Sequence, residues 1–228
     1  MQNKSPQLKN DCASCESRSK GFLCSTSDEI SKHISIVMAG CKFKAGENIF
    51  KVGDRPLGLF AVRKGIVKLE ALSEDGAAHT LRLIGPGGLI GYRTFFNQIN
   101  YKHSAFAVED SDLCFIPGKE VLELFKCHPE LGLKMINQLG LDLDQAETKW
   151  IDQIDKGAAA RVADALLFLN ERFKDSSWTR KEIAEWAGTT TETVIRTLAI
   201  FEKEGIISQN YKNFKVLNEK KLLEKANT

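Results

Sequence analysis

Between residues 40 and 117 short apolar runs alternate with glycine-bearing turns. Asn48-Ile49-Phe50-Lys51-Val52, Gly58-Leu59-Phe60-Ala61-Val62 and Ile66-Val67-Lys68-Leu69 lie among Gly40, Gly46, Gly53, Gly58, Gly65, Gly76, Gly85 and Gly91. Short strands broken at regular intervals by turn residues predict an antiparallel barrel or sandwich, which Pro117 closes. Residues 1–28 are polar and without periodicity. From Pro129 to about Lys156 no proline interrupts the chain, and Ile136, Leu139, Leu143, Ala146 and Trp150 follow one another at spacings of 3, 4, 3 and 4, with Ile154 near the end. This heptad seam predicts a long helix that pairs with another helix. No seam residue is charged, and Asp142, Asp144, Glu147, Lys149, Asp152 and Asp155 are expected to keep the flanks in water.

Gly157 marks a boundary. Val162, Ala165, Leu166, Leu169 and Phe173 then form one apolar helix face, followed by two shorter helices and a hairpin. Thr179-Arg180-Lys181-Glu182 is a capping box opening a helix with Ile183, Ala184 and Ala187 on its apolar face. Gly188 is the residue expected where that helix stops sharply. Thr189-Thr190-Thr191-Glu192 opens the next helix, whose Val194, Leu198 and Phe201 share a face. Helix, glycine turn and second helix form a helix-turn-helix, and the small Ala184 permits a close crossing. Glu192, Arg196, Ala199 and Lys203 project opposite the apolar stripe. Arginine can bond guanine O6 and N7 with both arms, and glutamate can accept from cytosine N4, so this face suits a major groove. The competing reading is an ordinary surface Glu–Arg pair worth about 0.3–0.5 kcal/mol. Gly205-Ile206-Ile207-Ser208 and Phe214-Lys215-Val216-Leu217 flank the polar turn Asn210-Tyr211-Lys212-Asn213, a hairpin that would be the wing of a winged helix. Lys212 and Lys215 are then either phosphate contacts or solvated turn lysines.

Composition changes this picture little. Of 228 residues, 43% are hydrophobic and 27% charged, ordinary values for a globular chain. The net charge of +2 is too small to imply nucleic acid by itself, although residues 157–228 carry 12 basic against 10 acidic side chains and the remainder is balanced at 20 of each. No apolar run approaches the roughly 18 residues of a membrane span, and the N-terminus lacks a secretory core, so a cytoplasmic location and no membrane partner are expected. In that compartment six cysteines, three of them within the first 24 residues, point to metal or redox chemistry rather than disulfides.

The chain resembles the Crp/Fnr superfamily of transcription regulators. Lys44-Ala45-Gly46-Glu47-Asn48-Ile49-Phe50-Lys51-Val52-Gly53-Asp54 and Gly58-Leu59-Phe60-Ala61-Val62-Arg63-Lys64-Gly65 look like its β-roll, and Thr179 to Ala184 with Gly188 to Arg196 look like its helix-turn-helix. The resemblance implies an α+β fold: a cysteine-bearing segment (1–28), an antiparallel, jelly-roll-like β-roll sensor (29–128), a dimerisation helix (129–156) and a winged helix-turn-helix (157–228). It further implies a homodimer on a palindromic operator in double-stranded DNA, with RNA polymerase a partner if the chain activates transcription. The seam residues Ile136, Leu139, Leu143, Ala146 and Trp150 would form the dimer interface. Thr179, Thr189, Thr191, Glu192, Ile195, Arg196, Lys203 and Lys212 would contact DNA, with Glu192 and Arg196 at the base-reading positions and paired recognition helices roughly 34–36 Å apart. Ile195 replaces the small or polar residue usual in the family and suits a thymine methyl, so a half-site different from the common T-G-A core is expected.

Nucleotide-binding relatives hold the ribose with a Glu after the glycine of a phosphate-binding segment and clamp the phosphate with a later Arg. Here Gly91 precedes Tyr92, and the later stretch is Tyr101-Lys102-His103-Ser104-Ala105, so no cyclic nucleotide is expected. Cys12, Cys15, Cys24 and Cys114 resemble the cysteines of the oxygen-sensing branch, which implies a [4Fe–4S] cluster. A thiol switch or a zinc site would use the same residues, and Cys114 also reads as a buried strand residue. Cys41 and Cys127 read as core or incidental. The uncharged seam predicts dimerisation without metal. Two further readings remain: a small ligand in the roll near Tyr92 and Arg93, and a thiol oxidoreductase using Cys12 and Cys15. The latter lacks a catalytic histidine, since His33, His79, His103 and His128 are scattered.

Overall fold

The computed structural model describes residues 12, 15–17, 19–23, 26–210 and 213–227. The chain divides into two compact units, one comprising residues 1–72 and 81–141, the other 73–80 and 142–228.

The first unit opens with helix α1 (Asp28–Val37), whose N-cap Ser27 accepts a hydrogen bond from the Ile30 amide. The hydrophobic pattern does not announce this helix, because its apolar stripe is little more than Ile30 and Ile34, one turn apart and both buried. Strands β1 (Ala39–Phe43), β2 (Asn48–Phe50), β3 (Gly58–Lys64), β4 (Val67–Leu72), β5 (Ala78–Ile84), β6 (Leu89–Ile90), β7 (Ser104–Ala107) and β8 (Ser111–Pro117) build two sheets, ordered β1-β8-β3-β6 and β2-β7-β4-β5. β8 pairs antiparallel with both β1 and β3, and β7 with both β2 and β4.

Two cores follow from the period-2 alternation of side chains in these strands. Val62 and Leu113 face inward between the sheets with Phe50, Val67, Leu69, Ile84 and Ala105. Their neighbours Leu59 and Ile116 point to the opposite face, against Ile30 and Ile34, Val121 and Leu124 of α3 (Gly118–Cys127), and Leu131 and Met135 of α4 (Glu130–Asp155). The first sheet is therefore buried on both faces. Each fully buried aliphatic side chain contributes roughly 1.5–3 kcal/mol. Between β6 and β7, α2 (Tyr92–Phe96) starts at Gly91, whose φ of +87° and whose approach to Tyr101 Oη, 2.9 Å from where a Cβ would sit, both require glycine.

Past Met135 the seam of α4 is uncovered in the single chain: Ile136, Leu139, Leu143, Ala146, Trp150 and Ile154 are all exposed, from 37% at Leu139 to 69% at Trp150. Two flanking charges depart from the solvated role their pattern suggests. Asp142 is buried, and Lys149 is half-buried over the ring of Trp186.

In the second unit α5 (Ala158–Arg172) packs against α6 (Arg180–Ala187), α7 (Thr191–Lys203) and α8 (Glu219–Ala226), while β9 (Ile207–Gln209) and β10 (Phe214–Val216) form the antiparallel hairpin. α8 carries only Leu222 and Ala226 inward, too few apolar residues to be visible in the sequence pattern. Among the described residues no helix is long and apolar enough to cross a membrane.

Candidate nucleic-acid interface and sensor cavities

The helix-turn-helix is set by its caps. The Thr179 hydroxyl accepts from the Glu182 amide at 3.2 Å, and the Glu182 carboxylate accepts from the Thr179 amide at 2.8 Å, so two helix-end donors are satisfied reciprocally. Gly188 ends α6 in the left-handed region at φ +63°. The residue capping α7 is Thr190, whose hydroxyl accepts from the Thr193 amide at 3.2 Å. Its neighbours Thr189 and Thr191 are half-buried. Val194, Leu198 and Phe201 are buried, and Glu192, Ile195, Arg196, Ala199 and Lys203 are exposed. Among the described residues Glu192 and Arg196 form no ion pair with each other, so both remain available to a partner. The hairpin is tied to α7 by Glu202, which accepts from the Gln209 amide and side chain, both at 3.1 Å, and to α6 by Arg180, which donates to Gln209 Oε1 at 2.5 Å. Lys215 lies on β10, and Lys212 is outside the described residues.

In the first unit, Cys12, Cys15 and Cys114 line one apolar cavity with Leu23, Ile34, Met38 and Ile116. Alternation along β8 places Cys114 on the face of Ile116, away from the inter-sheet core. Two described residues that precede α1 are held nearby: the Cys12 amide donates to Ser35 Oγ at 2.9 Å and its thiol approaches Met38 Sδ at 3.7 Å, and Ser17 donates to the Arg63 carbonyl at 2.7 Å. Burial, reinforced by the neighbouring Cys12 and Cys15 thiols, pushes the Cys114 thiol up to about 12, and nearby Arg63 opposes the shift. Cys12, Cys15 and Cys114 thus border one cavity beside the Arg63 guanidinium, thiol chemistry suited to metal or redox reactions, without standing close enough together to form a ligand set by themselves. Cys24 lies outside the described residues, and among those described no three of His, Cys, Asp and Glu stand close enough together to hold an ion. Cys127 is exposed and Cys41 half-buried on β1.

A second cavity lies in the roll, lined by Phe50, Tyr101, Arg82, Arg93, Lys102 and His103 among others. Tyr92, at the position of the absent glutamate, is a buried side chain whose hydroxyl accepts from Arg82 at 2.8 Å. Burial and the proximity of Arg82 both lower the Arg93 pKa. Burial, then Arg93 and Lys102, likewise lower that of His103. His103 Nδ1 is buried with no hydrogen-bond partner among the described residues. Arg82 is not legible in the sequence because it sits on β5, in the other sheet from β6, which leads into Gly91, and only the closing of the roll brings them together.

The chain matches the cyclic nucleotide-binding domain over residues 41–128 and the Crp-like helix-turn-helix domain over residues 160–225. It is 28% identical over 192 residues to the transcriptional activator protein anr of Pseudomonas aeruginosa, covering 80% of this chain and 78% of that one. To the fumarate and nitrate reduction regulatory protein of Vibrio cholerae it is also 28% identical over 192 residues, covering 79% and 76%. Among solved structures, a CRP/FNR-family transcriptional regulator from Thermus thermophilus superposes with a TM-score of 0.70 at 29% identity, covering 83% of this chain and 98% of that one.

Proposed function

Because the chain belongs to the Crp/Fnr family of transcription regulators, we propose that it acts in the cytoplasm as a homodimer on an inverted-repeat operator, reading bases with Glu192, Ile195 and Arg196 of α7. One observation carries this reading: the three side chains are exposed together on one side of α7 while the other side is buried, and neither charge is spent on an ion pair among the described residues. Thr179, Thr189, Thr191, Lys203 and Lys212 serve as backbone contacts that fix register without reading sequence. Ile136, Leu139, Leu143, Ala146 and Trp150 join the two copies through the uncovered seam. If the chain activates transcription, RNA polymerase is its further partner. Replacing Arg196 by Ala lowers specific operator affinity by about 1–3 kcal/mol and leaves non-specific binding almost unchanged. Equal losses on specific and random duplexes would refute base reading.

The signal proposed is oxygen or redox state, received at Cys12, Cys15, Cys24 and Cys114. The support is that three of these thiols border one cavity, with Cys12 and Ser17 hydrogen-bonded to α1 and β3 beside it. When bound, a [4Fe–4S] cluster would supply sensitivity to oxygen at that site. A thiol switch uses the same pair of segments. Iron and sulfide analysis after oxygen-free purification separates the two. Stoichiometric iron that Cys114→Ser abolishes supports the cluster, and an iron-free chain whose DNA binding still responds to thiol oxidation supports the switch.

A second reading is favoured by Arg82, Arg93, Lys102 and His103 around the roll cavity: a small anion other than a cyclic nucleotide. Inorganic phosphate and benzoate serve as probes in thermal-shift titrations. Stabilisation by either that Arg82→Gln removes supports this reading, and no shift with either discards it.

A further inference from the structure

Three carbonyl oxygens of the second unit converge on one guanidinium. Arg161, in the first turn of α5, donates from Nη1 to the Lys156 carbonyl at 2.6 Å, from Nε to the Ala187 carbonyl at 3.0 Å and from Nη2 to the Gly188 carbonyl at 3.2 Å. Lys156 directly follows the last residue of α4, while Ala187 and Gly188 are the last residue and the C-cap of α6. Both helix ends leave carbonyls without partners inside the helix and carry partial negative charge. A guanidinium suits this position because it presents several donors in a rigid plane together with a positive charge. It joins the end of the long helix to the turn from which α7 departs three residues later.

Other contacts run in the same direction. Gln153 of α4 donates to the Ala187 carbonyl at 3.3 Å, and a Cβ on Gly188 would meet the Gln153 side chain at 2.6 Å. Lys149 of α4 lies over the Trp186 ring at 3.6 Å. Lys156 bridges Asp152 of α4 at 3.2 Å and Asp164 of α5 at 2.6 Å. None of these residues lies on the exposed face of α7, so none is explained by base contact.

We propose that Arg161 is the positioning residue that fixes α7 relative to the axis of α4, so that the spacing between two recognition helices, and with it the operator spacer the protein accepts, is set by this clamp. The proposal rests on the dimeric reading above. It assigns Arg161 no contact with DNA. Its loss leaves each helix-turn-helix able to read a half-site but frees the pair to adopt several separations, so a single spacing no longer gains the full affinity of two sites engaged together.

The test uses the full chain and the inverted repeat that the wild type selects from a random duplex pool. Binding is compared on that repeat, on versions with the spacer one base pair longer or shorter, and on one half-site. Wild type prefers its own spacer. Arg161→Met is expected to lower affinity for the selected repeat about tenfold, flatten the spacer preference and leave half-site affinity within about threefold. Arg161→Lys, which keeps the charge but not the fork, and Gln153→Ala are expected to move partway in the same direction, and they carry the test if Arg161→Met does not fold. Retention of the wild-type spacer preference by the folded variants overturns the proposal. Parallel losses on half-site and repeat also overturn it, because Arg161 then supports only the local fold. A wild type with no spacer preference removes the dimeric reading itself and the clamp with it.

Discussion

Arg196 and Ile195 occupy adjacent exposed positions on α7 and, under the proposed base reading, would ask different things of DNA. Arginine seeks acceptors, whereas isoleucine gains only from apolar contact such as a thymine methyl. Ile195→Ser is therefore expected to change the preferred base at one position of the selected site while leaving the others, which in vitro selection with both proteins would read out. At the cysteines, burial decides reactivity before any partner does. Cys114 holds its proton far above neutral pH, so the thiolate fraction there is minute, and any metal must displace that proton on binding. Cys127 is exposed, although a hydrogen bond with Glu123 raises its pKa too. Iodoacetamide at pH 7.5 should label native, metal-free chain at Cys127 well ahead of Cys114, and equal rates in a peptide map would contradict the burial. Lys149 shifts the other way, down to about 8 from an ordinary 10.5, because burial penalises its charged form. Its proton is thus bound more weakly in the folded than in the unfolded chain. Stability should rise as pH climbs from about 8 toward 10.5, and Lys149→Met should lose that gain in chemical denaturation at the two ends of the window.

Among the elements, the two helices of the helix-turn-helix and the long helix were legible for different reasons. A capping box and a left-handed glycine are local chemistry, and α6 starts and stops where Thr179-Arg180-Lys181-Glu182 and Gly188 place its ends. Thr179→Ala is expected to cost about 1 kcal/mol of stability in denaturant titration. The heptad of α4 was legible because its period is regular, but α1, α2, α3 and α8 were not. They are short, and each hides its few inward residues in a largely polar or mixed stretch. Tertiary burial stabilises them more than any intrinsic pattern. The α4 seam, uncharged and uncovered in a single chain, should pair without a cofactor. Sedimentation of the metal-free protein is expected to give a dimer, and Leu143→Asp a monomer, since each pairing would bury two unpartnered carboxylates. A wild-type apoprotein that sediments only as monomer would make the seam insufficient by itself.

For the whole molecule, a net charge of +2 supplies little long-range attraction to DNA. The salt dependence of binding should then report local phosphate contacts, about 0.9 in log–log slope for each. Lys203→Ala is expected to shallow the slope by about one such contact while leaving base preference intact, as titrations across potassium chloride concentrations would reveal. The sequence by itself determined membership of the family, the α+β character and the residues exposed on α7. Those depend on near-neighbour spacing, caps and period, which a chain carries before it folds. Only tertiary structure decided which distant residues meet. Strand pairing and alternation put Cys114 on the cavity face with Cys12 and Cys15 and brought Arg82 to Tyr92. The packing of α6 against α5 brought the carbonyls of Ala187 and Gly188 to Arg161, beside that of Lys156 five residues before it. Such encounters have no periodic signature, because what defines them is the closing of long loops between residues that the sequence keeps apart.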